Sequence, residues 1–381
     1  EAYLMSVFSG MLPNDAFGAR IQLFLLRLLT MVLLCAVAIQ VFDKGKRLPT
    51  LALILVPSAY WLVYQAGYAM PQHSVFAFLS SLIFLLAIHL NRRVSPAYLL
   101  TVSIGILSGL SISNHLLALS VVAGAFLVVV FTGNMRLFFQ RAPAFAGGLL
   151  IGLIPYLMAL LTIDGAYEAI AGRLDPGVFF HRFFNIVIGY TLPGAMGIFP
   201  PRFPDFSAHM EGWAPLRSLF VGGFLLVLFS SILIRLYKFY THTIAAHWPR
   251  LQWPDMFLIV TLASITMMSM NSAGVSKEHR YLLPVVWVFP FLIGYIYVWG
   301  NSLLRLAISG FTIALLVVNL ATGIKVIEDW HNPKDIQRYA DIPELAPVMS
   351  WMQAQNIDHC YASFWQAYRF TYESSGNIIC S

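Results

Sequence analysis

The chain has 381 residues, of which 59% are hydrophobic and only 10% charged, and its mean hydropathy is +0.74. That balance excludes a soluble domain and points to a polytopic membrane protein. The formal charge of +6 comes from basic residues scattered through the connections; they form no run that would serve a nucleic-acid partner, and they act instead as a topology signal.

The first stretch, "EAYLMSVFSGMLPNDAFGAR", has no initiator Met, no basic leader and no signal-peptide apolar core. It reads as an external loop over 1–19, with an earlier helix expected ahead of Glu1. Apolar windows long enough to cross a hydrocarbon core follow at 20–42, 49–69, 74–91, 97–113, 115–132, 144–163, 216–237, 254–272, 281–299 and 303–322, about ten spans in all. The expected fold is an all-α polytopic membrane domain over 1–322, followed by a small extracytoplasmic α/β tail over 323–381.

Lys44, Lys46 and Arg47 lie in the first connection, Arg92 and Arg93 in the third, and Arg136 and Arg141 in the fifth. Arg235, Lys238 and Arg250 occupy the seventh and Arg305 the ninth. The short even connections "YAMPQH" and "SISNH" carry no Lys or Arg, so the odd connections are placed in the cytoplasm. Of the acidic residues only Asp43 and Asp255 then fall inside, and chemistry that needs a carboxylate belongs outside.

The long outer loop 164–215 mixes charge, aromatic residues and Pro/Gly turns. Its apolar middle, 176–200, is expected to dip into the interface with His181 and Arg182 at headgroup depth. It would either cover a lipid-linked substrate or anchor the fold. In the tail, "DIPELAPVMSWMQAQNI" reads as a helix, "HCYASF" as a strand, "WQAYRFTYESS" as a helix and "NIICS" as a second strand. Cys35 lies mid-helix as packing, whereas Cys360 and Cys380 share the tail and could pair in an oxidising compartment. No Gly-rich nucleotide fingerprint occurs.

Three histidines stand at outer helix mouths: His73 in "AMPQHSV", His115 in "GLSISNHLLAL", and His279 in "SKEHRYLLPVVW". No helical His pair or Asp-x-Asp pattern supports a metal site, so no cofactor is indicated and a divalent metal stays an open alternative. Asn114 and His115 would hold a phosphate or sugar hydroxyl, or else satisfy helix ends. In the third stretch Lys277, Glu278, His279 and Arg280 crowd the start of an apolar run that continues to Trp299.

"GLSISNHLLALSVV", the Arg in "FLLRLLTMVLL" and above all "EHRYLLPVVWVFPFLIG" give the chain a likeness to a known family. Over residues 1 to about 300 it resembles the GT-C superfamily of integral-membrane glycosyltransferases, nearest to the bacterial protein-mannosyltransferase and lipid A aminoarabinose-transferase set. "YASFWQAYRFTYES" is similar to a carboxy-terminal module of some bacterial members. The resemblance implies transfer of a sugar from a polyprenyl-phosphate donor to a lipid, glycan or protein acceptor, at the extracytoplasmic side of a bacterial cytoplasmic membrane. It also implies a catalytic acid in the first external loop, where Glu1 stands, with Asp15 as the second choice.

That chemistry needs a carboxylate to activate the acceptor and cations to stabilise the departing lipid phosphate. Arg280 is the first choice for the phosphate, because its planar fork grips phosphate at two points. Lys277 and His279 stand beside it, and Glu278, His73, Asn114 and His115 are the candidate substrate contacts. The opposing reading is an interfacial anchor in which Lys277 and Arg280 snorkel to lipid headgroups. Trp61, Trp213, Trp287 and Trp365 would serve as sugar-stacking faces or as an interfacial belt. Three other functions compete: a transporter or flippase, for which Arg27 is the main deep charge; an oligosaccharide polymerase or ligase with a diphosphate donor; and a structural scaffold.

Overall fold

In hydrocarbon only a helix or a closed barrel satisfies its own backbone, and the described apolar blocks of this chain are helices. The computed structural model describes residues 16–56, 71–162, 176–198, 214–243, 250–270, 279–331, 345–362, 367, 370–371, 373–374 and 376–380. In chain order the helices are α1 Ala16–Val41, α2 Leu48–Leu55, α3 Pro71–Asn91, α4 Tyr98–Asn114, α5 Ala118–Val130, α6 Met135–Thr162, α7 Ala214–Thr243, α8 Trp253–Met270, α9 Leu283–Trp299 and α10 Ser302–His331. Between α6 and α7 a π-helix covers Arg182–Thr191 and runs into a short helix, Leu192–Ala195.

Seven described stretches are long and apolar enough to cross a membrane: Ile21–Val41, His73–Asn91, Met135–Leu161, Ala214–Lys238, Trp253–Met270, His279–Trp299 and Ser302–Lys325. Two further windows form shorter helices. α4 has 17 residues and α5 has 13, or about 25 and 20 Å at 1.5 Å per residue, against a core of about 30 Å. The window 49–69 is described only through Val56, and residues 57–70 lie outside the described residues.

The centre of the bundle is α9, in which every residue from Leu283 to Ile296 is buried. A helix apolar on all sides has no face for water or lipid, so its neighbours must surround it. Phe224 of α7 stacks on Phe289, Phe76 of α3 meets Trp287 edge-on, and Thr50 of α2 donates to the carbonyl of Pro290 at 3.0 Å.

α4 and α6 meet through glycine. Gly105 and Gly109 face Gly148 and Gly152 so closely that a Cβ on Gly109 would collide with the Leu149 carbonyl, and one on Gly152 with that of Ile106. Lipid tails are as apolar as leucine, so this backbone contact, and not hydrophobicity, selects the pair.

The opposite end of the bundle carries the basic residues of the odd connections, and several are tied into the fold. Arg141 is buried and donates to the carbonyls of Val129 (3.1 Å), Leu90 (3.3 Å), Arg93 (2.8 Å) and Ser95 (2.8 Å). These are carbonyls at and just past the ends of α5 and α3, which the helices themselves leave without partners. Arg235 of α7 pairs with Asp255 of α8, whose other oxygen accepts from the Gln252 N–H at 2.7 Å. Lys238 lies over the Trp299 ring, 2.7 Å from its centroid.

In the tail, α11 (Ala346–Ala354) precedes Asn356, which takes a left-handed φ of 55° that suits an Asn just past a helix. β1 (His359–Cys360) and β2 (Ile379–Cys380) pair in parallel, and a disulfide joins Cys360 to Cys380.

The glycine contact yields a direct test. Gly109→Leu should force α4 and α6 apart and lower the thermal unfolding temperature in detergent, at a cost of roughly 1–3 kcal/mol or more. Gly147→Ala, where a Cβ meets nothing, should be neutral or stabilising by up to about 1 kcal/mol.

Candidate functional site

A 3-10 turn, His279–Leu282, leads into α9 and puts three side chains at its mouth. His279 is only 1% exposed. Its Nδ1 lies 2.9 Å from the Thr191 carbonyl and so donates to it, which fixes the proton on that nitrogen. Gly194 makes the fit possible, because any Cβ there would strike the imidazole. Tyr190 lies beside the same ring, with centroids 5.2 Å apart. His279 therefore fastens the start of α9 to the last turn of the π-helix.

Arg280 and Tyr281 are half-buried at the edge of this joint. The Arg280 guanidinium lies 5.0 Å from the Tyr281 ring centroid, a cation–π contact of about 0.5–1 kcal/mol where water is near. Tyr281 continues to His115 at 5.9 Å, and His115 to His73 at 5.0 Å. Phe76 stacks on His115 at 5.7 Å and carries the chain of rings down to Trp287.

His73 and His115 reach this point by different means. His73 sits in the first turn of α3, 1% exposed. His115 follows the last residue of α4, Asn114, in an extended conformation (φ −158°, ψ 128°) that breaks the helix before α5. Its Nδ1 accepts the Leu117 N–H at 3.2 Å, which leaves the ring proton on Nε2 when neutral. His115 and His279 thus hold opposite tautomers, each set by the backbone.

Of the residues expected from the sequence, His73, Asn114, His115, His279 and Arg280 converge at one end of the bundle. Glu1, Asp15, Lys277 and Glu278 lie outside the described residues, as do Trp61, Trp213 and Trp365. Trp287 is 2% exposed and packs on Phe76, so its ring is core and not an open stacking face; it borders only a cavity of about 40 Å³ shared with Leu34, Leu53, Met196 and Asn319. Among the described residues no three His, Cys, Asp or Glu side chains are grouped to hold a metal ion. Tyr281, Thr191 and Gly194 were not expected. Tyr281 adjoins Arg280 in sequence, but nothing local points from His279 to a carbonyl 88 positions away.

No protein-family model, no curated protein and no solved structure matches the chain. The geometry therefore stands by itself: a guanidinium on an aromatic ring, near two imidazoles, at the start of a helix buried from Leu283 to Ile296.

Gly194→Ala should push the imidazole of His279 off the Thr191 carbonyl, seen as a shift of its ring ¹⁵N resonances and a stability loss of about 1 kcal/mol. Gly222→Ala, at a site open to a Cβ, should leave those resonances where they are.

Proposed function

We propose that the chain is a membrane glycosyltransferase that moves a sugar from a polyprenyl-phosphate donor to a lipid, glycan or protein acceptor on the extracytoplasmic side. The observation that carries this reading is the placement of Arg280. It is half-buried at the mouth of the most enclosed helix in the bundle, beside Tyr281, His115 and His73.

A lipid phosphate rests at the depth of a helix mouth while its chain stays in the bilayer, so the donor reaches Arg280 without crossing the membrane. Negative charge grows on that phosphate as the sugar leaves, and a fixed guanidinium in a partly dry site stabilises it. His279 is the positioning residue: its bond to Thr191 holds the residue before Arg280 still. His115 offers Nε2–H to a sugar hydroxyl or phosphate oxygen, and His73 and Asn114 border it. The carboxylate that activates the acceptor is assigned to Glu1, with Asp15 second, and Lys277 and Glu278 complete the cluster by sequence.

The extracytoplasmic orientation is supported by the disulfide in the tail, a bond suited to an oxidising compartment. It is supported too by the buried and paired arginines at the other end, which suit a cytoplasmic face.

A transporter or flippase is the second reading, and Arg27 favours it. This residue lies in the span Ile21–Val41, and its Nε and Nη2 are enclosed without a hydrogen-bond partner among the described residues. A charge at such depth is a mark of a substrate path.

Proteoliposomes with polyprenyl-phosphate and polyprenyl-diphosphate sugars separate the readings. Under the proposal, label leaves the monophosphate donor, Arg280→Ala lowers the rate about 10²- to 10³-fold, and Arg280→Lys recovers part of it. Release from the diphosphate donors alone would favour a polymerase or ligase. Movement of intact donor between leaflets, lost in Arg27→Ala and unaffected in Arg280→Ala, would establish the transporter.

A further inference from the structure

A second arginine stands at the same end of the bundle in a cleft that the proposed reaction does not use. Phe184, Asn185 and Gly189 of the π-helix and Arg217, Ser218 and Val221 of α7 line an open cleft of about 340 Å³. Arg217 lies in the first turn of α7, three residues into the span Ala214–Lys238. That is about 4.5 Å of helix rise from the start of the span, close enough to its end for a long arginine side chain to snorkel to headgroup level.

Among the described residues Arg217 makes no ion pair and no hydrogen bond. The other cations near a membrane boundary in α7 are engaged, Arg235 with Asp255 and Lys238 with Trp299. Arg217 therefore faces a polar cleft with its fork available, beside the Ser218 hydroxyl. Asn185 closes the opposite wall, its amide 3.0 Å from His181 Nδ1.

Phe184 lines the cleft, and the two helices that form it carry further exposed apolar side chains. Phe180 is 73% exposed, Phe184 57% and Leu219 61%. In a bilayer these surfaces meet acyl chains, so the ligand that matches both parts is an amphiphile with an anionic head.

We propose that this cleft binds the phosphate of an anionic membrane lipid, with the phosphate on Arg217 and Ser218 and the chains along Phe184 and the exposed apolar surface of α7. The proposal does not depend on the glycosyltransferase reading. It does bear on the first site, because one π-helix serves both. Phe184, Asn185 and Gly189 face the cleft, while Val187, Ile188 and Thr191 are buried and Thr191 receives the hydrogen bond of His279. An occupied cleft would brace the strut that holds the start of α9.

The test uses the full chain in nanodiscs of phosphatidylcholine with increasing phosphatidylglycerol, read by thermal unfolding and by a photoactivatable phosphatidylglycerol. The expected result is a rise in unfolding temperature with the anionic lipid and labelled peptides containing 180–189 and 216–221. Arg217→Ala should weaken lipid binding about tenfold, the effect of one charge-assisted contact, with Arg217→Lys between. Arg136→Ala, an exposed arginine at the opposite end, should bind as the parent does.

Three outcomes overturn the proposal: labelling spread evenly over the spans of the parent protein; the same lipid response in Arg217→Ala as in the parent; or full stabilisation by inorganic phosphate in pure phosphatidylcholine, which would assign the cleft to a water-borne anion. The labelling pattern needs no variant, so it decides even if Arg217→Ala fails to fold.

Discussion

The enclosure of α9 is the constraint on which the other parts depend. With Leu283 to Ile296 buried on all sides, the helix cannot tilt or turn without displacing α2, α3, α7 and α8 together. A side chain at its mouth is thus placed by the whole bundle and not by a loop. Preorganisation of that kind is what charge stabilisation requires, because a cation that must first be collected from solvent loses in reorganisation what it gains in contact. Arg280 has this mounting, and His279 completes it by tying the turn before α9 to Thr191.

The same constraint shapes the neighbours. α9 can be surrounded only if some helices approach closely, and glycine permits that where leucine would not. Gly294 of α9 lies against Thr50 and Phe42, and the α4/α6 pair closes on four glycines. α6 has its other side toward lipid, with Leu150, Ile154, Leu157 and Leu161 exposed. It depends on the glycine seam for attachment, which explains why a helix so poorly buried can hold a fixed place.

Hydropathy made the helices legible and left their partners hidden, for a physical reason. It measures transfer from water to hydrocarbon, which is the same for every span, whereas packing within hydrocarbon depends on shape and on hydrogen bonds. The motifs "GILSG" and "GLLIG" are plain in the sequence, yet apolar windows treat their glycines as weak apolar residues. The window at 144–163 omitted the first turns of α6 because Arg136, Gln140 and Arg141 look polar. Arg141 nonetheless is buried, since the carbonyls ending α3 and α5 give it acceptors. At the site, the clustering of His73, His115 and Arg280 could be anticipated because all three stand at helix mouths on one side. The link from His279 to Thr191 could not, since it joins segments 88 residues apart, and neither could the cleft at Arg217, which arises only once the π-helix lies beside α7.

The two ends of the bundle treat positive charge in opposite ways, and this asymmetry bears on function. At one end Arg141, Arg235 and Lys238 are used up by carbonyls, a carboxylate and an indole. Their bonds are fold, and a ligand would have to break them to gain access. At the other end Arg280 lies against the Tyr281 ring, and Arg217 borders an open polar cleft. A desolvated guanidinium is costly unless something negative compensates it, and among the described residues Arg217 has none of the acceptors that satisfy Arg141. An arginine so placed suits the anionic headgroup proposed for that cleft. The π-helix between the two arginines makes them mechanically continuous, so a lipid held at one would set the rigidity with which the other is presented.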